Sequence, residues 1–72
     1  MAISYKKLWK LLIDKDMKKK DLVLLSGISQ SSVTKMGRNE NVNTDVLVRI
    51  CKALNCDIGD IAEVVLQESN AE

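Results

Sequence analysis

Apolar positions recur at helical spacing along most of this chain, and the polar stretches between them are short. Tyr5, Leu8, Trp9, Leu12 and Ile13 fall at i, i+3, i+4, i+7 and i+8, the stripe of an amphipathic helix. They predict a first helix from Ile3 to about Asp16, N-capped by Ser4, with Leu11 off the stripe and Trp9 at the core edge. A second helix is expected from about Lys19 to Ser26, with Leu22 and either Leu25 or Val23 turned inward. Gly27 then stops it, because glycine accepts a positive φ without a Cβ clash and lets a new helix start within a few residues. Ser29 can cap that next helix through its hydroxyl. The third helix, Ser29 to Met36, has only Val33 and Met36 as an apolar foot, and its outward face is Gln30, Ser31, Thr34 and Lys35. Gly37 is read as its end, followed by a polar loop from Arg38 to Val42 with one apolar anchor.

Asn43 is the expected N-cap of a fourth helix, with Asp45 in its first turn. There Val46, Leu47, Ile50, Cys51 and Leu54 repeat the amphipathic spacing and Val48 lies outside it. Asp57 is read as the cap of a final short helix holding Ile58, Ile61, Ala62 and Val65, with Asp60 at its third position. Val64 and Leu66 add apolar surface beyond what one face needs. The expectation is therefore an all-α, compact five-helix domain over residues 1–66 without strands, and a polar C-terminal tail over residues 67–72 that frays. Within it, the bend at Gly27 between two short helices reads as a helix-turn-helix.

Composition narrows this picture. Seventy-two residues suffice for one domain, and a chain of that size buries only about 60% of its unfolded surface, so packing or dimerisation must secure it. With no phenylalanine, one tryptophan and one tyrosine, the core has to be aliphatic. The longest apolar run is the four residues Leu22 to Leu25, against the roughly 20 that a membrane span needs. No hydrophobic leader is evident either, and a cytoplasmic protein is expected. Two cysteines, Cys51 and Cys56, occur in a chain with no histidine, too few ligands for a zinc site, and Cys51 falls in the apolar series of its helix. No metal or other cofactor is expected. A glycine-rich phosphate loop and a serine–histidine pair are both missing, and Asp14 and Asp16 point in different directions on a helix, so catalysis is not expected.

Charge adds a direction. Net charge is only +1, yet residues 1–39 carry nine Lys/Arg against three Asp, and residues 40–72 carry two against seven Asp/Glu. One half is basic and the other acidic. Lys18, Lys19 and Lys20 sit where the second helix begins, although the positive end of the helix dipole disfavours cations there by roughly 0.3–1 kcal/mol each. A bound phosphate reverses that penalty, because free N–H groups and ammoniums would both face it. The plainer alternative is a solvated lysine patch.

The segments MKKKDLVLLSGISQSSVTKM and NTDVLVRICKALNCDIGDIAEV, spanning about Leu8 to Val65, resemble the Cro/C1-type (XRE-family) helix-turn-helix domain of phage repressors and small bacterial regulators. The run Leu47, Ile50, Cys51, Ala53, Leu54 followed by Cys56-Asp57-Ile58-Gly59-Asp60-Ile61 looks like the closing helices of that family. The resemblance implies a lambda-repressor-like fold that binds double-stranded DNA as a two-fold homodimer. Its third helix would enter the major groove and its second would cross the backbone. By the same resemblance Gln30, Ser31, Thr34 and Lys35 would read base edges. Gln30 suits this chemically, since its amide can pair bidentately with an adenine edge. The phosphate candidates are Lys18, Lys19, Lys20, Ser29, Ser32, Arg38, Asn41, Asn43 and Thr44, with Lys19 standing where the family has a glutamine. Ile61, Val64, Val65 and Leu66 are the candidates for a dimer interface on the C-terminal helix.

The chain also departs from the family pattern. An arginine–glutamate pair common among relatives falls here on Leu12 and Gly37, and Met36 with Leu12 is expected to replace it by apolar packing. Val23 stands where a small alanine is usual, and Lys18 where Ser or Thr caps the second helix. The function expected is that of a sequence-specific transcriptional regulator, a repressor. The alternatives are an antitoxin-like partner or a helical protein-interaction module with weak or no DNA binding.

Overall fold

In the computed structural model, which describes residues 2–66, the chain runs β1 (Ala2–Ser4), α1 (Lys6–Asp14), α2 (Lys19–Ser26), α3 (Gln30–Gly37), α4 (Thr44–Leu54), a 3₁₀ turn (Ile58–Asp60) and β2 (Glu63–Val65). The expected tail, residues 67–72, lies outside the described residues. The core gathers one stripe from each helix: Tyr5, Leu8 and Leu12; Leu22; Val33 and Met36; Leu47, Ile50 and Leu54. Ile28 enters it from the bend, and Ile61 and Ala62 close it from the C-terminal side. No helix among the described residues is long and apolar enough to cross a membrane.

Two expectations about the chain ends are corrected. The fold is mostly helical, with four α-helices rather than five, and it contains a small antiparallel sheet. Residues 2–4 pair with residues 63–65 in the register Ala2↔Val65, Ile3↔Val64 and Ser4↔Glu63. The cause is short-range. Once the 3₁₀ turn ends, the β-branched Val64–Val65 favours extended backbone, and the two termini satisfy each other's N–H and C=O groups. Helix α1 accordingly starts at Lys6, although the Ser4 hydroxyl still accepts a bond from the Lys6 N–H at 3.3 Å. Asp57 does cap as expected, its carboxylate accepting from the Ile58 N–H at 2.8 Å while Asp60 accepts from the Asp57 N–H at 2.9 Å, but it opens a 3₁₀ turn.

Helix ends explain the other differences. Helices α1, α3 and α4 each stop at a non-glycine residue in the left-handed region, Asp16, Asn39 and Asn55. After each comes the same closing bond: Met17 N–H to Leu12 O (2.8 Å), Glu40 N–H to Lys35 O (2.9 Å) and Cys56 N–H to Cys51 O (3.0 Å). This is the Schellman pattern, which satisfies carbonyls the helix leaves free. Gly37 is thus the last helical residue of α3, and Asn39 makes the turn. In α1 the reversal brings Met17 against the core and leaves Ile13, expected inside, 74% exposed. Leu25 is likewise 58% exposed, so Leu22 with half-buried Val23 forms the inner face of α2.

Tyr5 fixes the N-terminal side. Its ring is fully buried, its hydroxyl donates to the Glu40 carbonyl at 2.8 Å, and its N–H donates to Asn39 Oδ1 at 3.3 Å. The loop after α3 is therefore tied to the start of α1. Lys7 ties the other end, donating to the Gly59 carbonyl at 3.1 Å and lying 3.7 Å from Glu63.

Candidate nucleic-acid interface

Helix α3 has two faces of opposite chemistry. Val33 and Met36 are buried, whereas Gln30, Ser31, Thr34 and Lys35 are exposed together. Gly27, at φ 76°, makes the bend that orients it, donating its N–H to the Val23 carbonyl at 2.9 Å. Buried Ile28 then anchors the connection. Ser29 caps α3 as expected, its hydroxyl oxygen accepting from the Ser32 N–H at 3.2 Å. The same oxygen lies 3.0 Å from the hydroxyls of both Ser31 and Ser32, so three hydroxyls cluster at the exposed helix start. Thr34 donates its hydroxyl to the Gln30 carbonyl at 3.1 Å, which commits its proton to the helix backbone. The Gln30 amide faces solvent.

A polar cleft of about 240 Å³ separates α3 from the start of α4, lined by Ser32, Lys35, Asn41, Val42, Asn43 and Val46. It draws four of the expected DNA contacts together. Asn43 stands at the N-cap of α4, but its side chain accepts no cap bond, so its amide remains available. Thr44 is exposed beside it.

Lys18, Lys19 and Lys20 are exposed at the start of α2. Lys18 precedes α2 in an extended conformation, and its N–H donates to the Asp21 carboxylate at 2.9 Å, which supplies the acid that the start of this helix lacks otherwise. The Lys19 ammonium lies over the Trp9 ring, 4.5 Å from its centroid. It is also 3.7 Å from where a Cβ on Gly37 would sit, so the start of α2 reaches the last turn of α3. Leu12 and Met36 are both buried, as expected of the apolar substitute for the family's ion pair. Ion pairs among the described residues are Lys7–Glu63, Arg38–Glu40 (3.9 Å) and Arg49–Asp45 (2.9 Å). None of these takes Lys18, Lys19, Lys20 or Lys35.

Two contacts here escaped the sequence reading. The Arg49 guanidinium lies 3.6 Å from the Cβ position of Gly27, against the bend itself, while its Nε donates to Asp45. Trp9 meets Lys19 across ten residues and two helices, and no local spacing signals that. Away from this face, Cys51 and Cys56 are free thiols. Burial, and then the neighbouring Cys56, push the Cys51 thiol up to about 11, so it is protonated at neutral pH.

The C-terminal candidates divide. Ile61, expected in a dimer interface, is 0% exposed and belongs to the core of the chain itself. Val64 and Leu66 are 64% and 66% exposed, Val65 is half-buried, and the segment is a strand rather than the expected helix.

A sequence profile of the Cro/C1-type HTH DNA-binding domain matches residues 7–67. No curated protein matches the chain. Among solved structures, the crystal structure of the transcriptional regulator VanUg (Form II) is similar, at 55% identity and a TM-score of 0.86, over 92% of this chain and 88% of that one.

Proposed function

The chain belongs to the Cro/C1-type helix-turn-helix DNA-binding domain family, and from that premise we propose that it represses transcription by reading operator half-sites as a homodimer. DNA-binding regulation is the property of the family. The mode of reading is argued from α3: with side chains a helix is about 10–12 Å across, which fits a major groove about 12 Å wide. The observation that carries the proposal is that Gln30, Ser31, Thr34 and Lys35 form one exposed row on α3, with a polar cleft and a lysine ammonium close to the same helix. Ser32, Asn41 and Asn43 line the cleft beside Lys35, with Thr44 exposed next in sequence, and the Lys19 ammonium lies near Gly37 at the last turn of α3; Lys18, Lys20 and Arg38 are assigned to the phosphates with them. In this reading Gln30 pairs with an adenine edge and Ser31 reads through water or against a thymine methyl. The ammoniums and Ser29 hold the strands without regard to sequence.

The dimer is proposed to form through β2 and the residue after it, where Val64 and Leu66 offer apolar surface, with Ile61 supporting the strand from behind. As for helix-turn-helix dimers in general, the half-sites read by two α3 helices would lie about one turn of DNA apart. A titration of duplex DNA against salt tests the proposal. Affinity should fall steeply as salt rises, with two chains bound per site. Lys18→Ala should weaken all sequences alike and reduce the slope of log K against log salt by about 1. Affinity without salt dependence, or none, would instead favour a helical module that binds protein.

A further inference from the structure

We infer that Trp9 is a positioning residue for DNA binding: its ring holds the Lys19 ammonium at the junction of α1, α2 and α3, where a backbone phosphate can meet it. The inference rests on the reading of α3 and its surroundings as the DNA-binding face. Trp9 is half-buried and packed against the core, so its ring is a fixed surface. With Leu12, Ile13, Met17 and Lys18 it lines a shallow groove of about 260 Å³ along which the Lys19 side chain lies. The ammonium at the end of that side chain is 4.5 Å from the ring centroid, a cation–π geometry.

The last turn of α3 is close to the same ammonium. The Lys19 nitrogen approaches the last turn of α3 at Gly37, where the glycine has no side chain to fill the space. The final carbonyls of a helix carry partial negative charge, so a cation is favoured there. The ring holds the ammonium in place beside a helix end that favours it, and neither cancels its charge as a carboxylate would. The ammonium has three donors, and those turned away from the ring remain open to a phosphate oxygen. A free lysine must give up rotamer freedom when it grips a phosphate. Over Trp9, part of that loss has already been taken in folding.

A double-mutant cycle on the full chain tests this. Trp9→Leu should weaken binding to all duplexes alike by about two- to five-fold, the range of an exposed cation–π contact. Trp9→Phe, which keeps a ring, should retain most of the affinity. In a Lys19→Met background, Trp9→Leu should have little further effect. Circular dichroism at the assay temperature confirms that each variant is folded. Trp9 is the chain's one tryptophan, so Lys19→Met should also change its emission before any DNA is added. Additive effects in the cycle, tighter binding by Trp9→Leu, or unchanged emission in Lys19→Met would each overturn the inference. If the wild type shows no salt-dependent duplex affinity, the premise itself fails, and the emission comparison separates that failure from a failure of the ring contact.

Discussion

Ser29 and Asn43 both stand just before a helix with a side chain able to cap it, yet only Ser29 does so. Its oxygen takes the Ser32 N–H at 3.2 Å, whereas the Asn43 side chain makes no cap bond. Losing a working cap costs about 1 kcal/mol. Ser29→Ala should therefore lower stability by about that amount and the melting temperature by roughly 4–8 °C, as a small domain shows for such a loss. Asn43→Ala should change stability little while weakening binding to DNA of any sequence. Thermal unfolding alongside duplex titration checks both, and a large stability loss in Asn43→Ala would mean that its amide is occupied by the protein after all. Residue type alone could not separate the two, since both are good caps by preference. What separates them is whether the folded chain brings the side-chain oxygen onto a free helix N–H, which it does for Ser29 and not for Asn43.

At the level of elements, the helices are legible because their apolar residues keep a 3.6-residue period, and α2 spans Lys19–Ser26, in line with the expected span of about Lys19 to Ser26. The helix ends were less so. Gly37 drew attention as a stop signal, but the left-handed turn falls on Asn39, and Asp16 and Asn55 do the same for α1 and α4. Asp and Asn tolerate that region better than other non-glycine residues, so the signal was present but weaker than glycine's. The strands were not legible. Glu63–Val65 is three residues long, too short to show a period of 2, and its partner Ala2–Ser4 lies at the other end of the chain. The account of the helix ends makes a prediction of opposite signs at one position. Asn55→Gly should be neutral or stabilise by up to about 1 kcal/mol, and Asn55→Ala should destabilise by about 1–2 kcal/mol, measured by urea unfolding. Equal effects from both would show that the side chain, not the backbone angle, matters there.

For the whole molecule, the uneven charge seen in the sequence acquires a place. Lysines of the basic half stand at the start of α2 and in the exposed row of α3 itself, and Lys19 reaches the last turn of that helix, while acidic residues Asp57, Asp60 and Glu63 lie in the C-terminal turn and β2. The expected base-reading residues did come together, since a short amphipathic helix with two inward residues leaves its other face no choice. The packing partner of Lys19 did not show, because it arises from the way α1 crosses α2. Binding of the wild type and Gln30→Ala to a randomised set of duplexes at one fixed salt concentration tests the central claim most directly. The variant should lose preference at one base position, by roughly 1–3 kcal/mol of discrimination, and keep its affinity for unrelated sequences. An equal loss on every sequence would contradict base reading by α3.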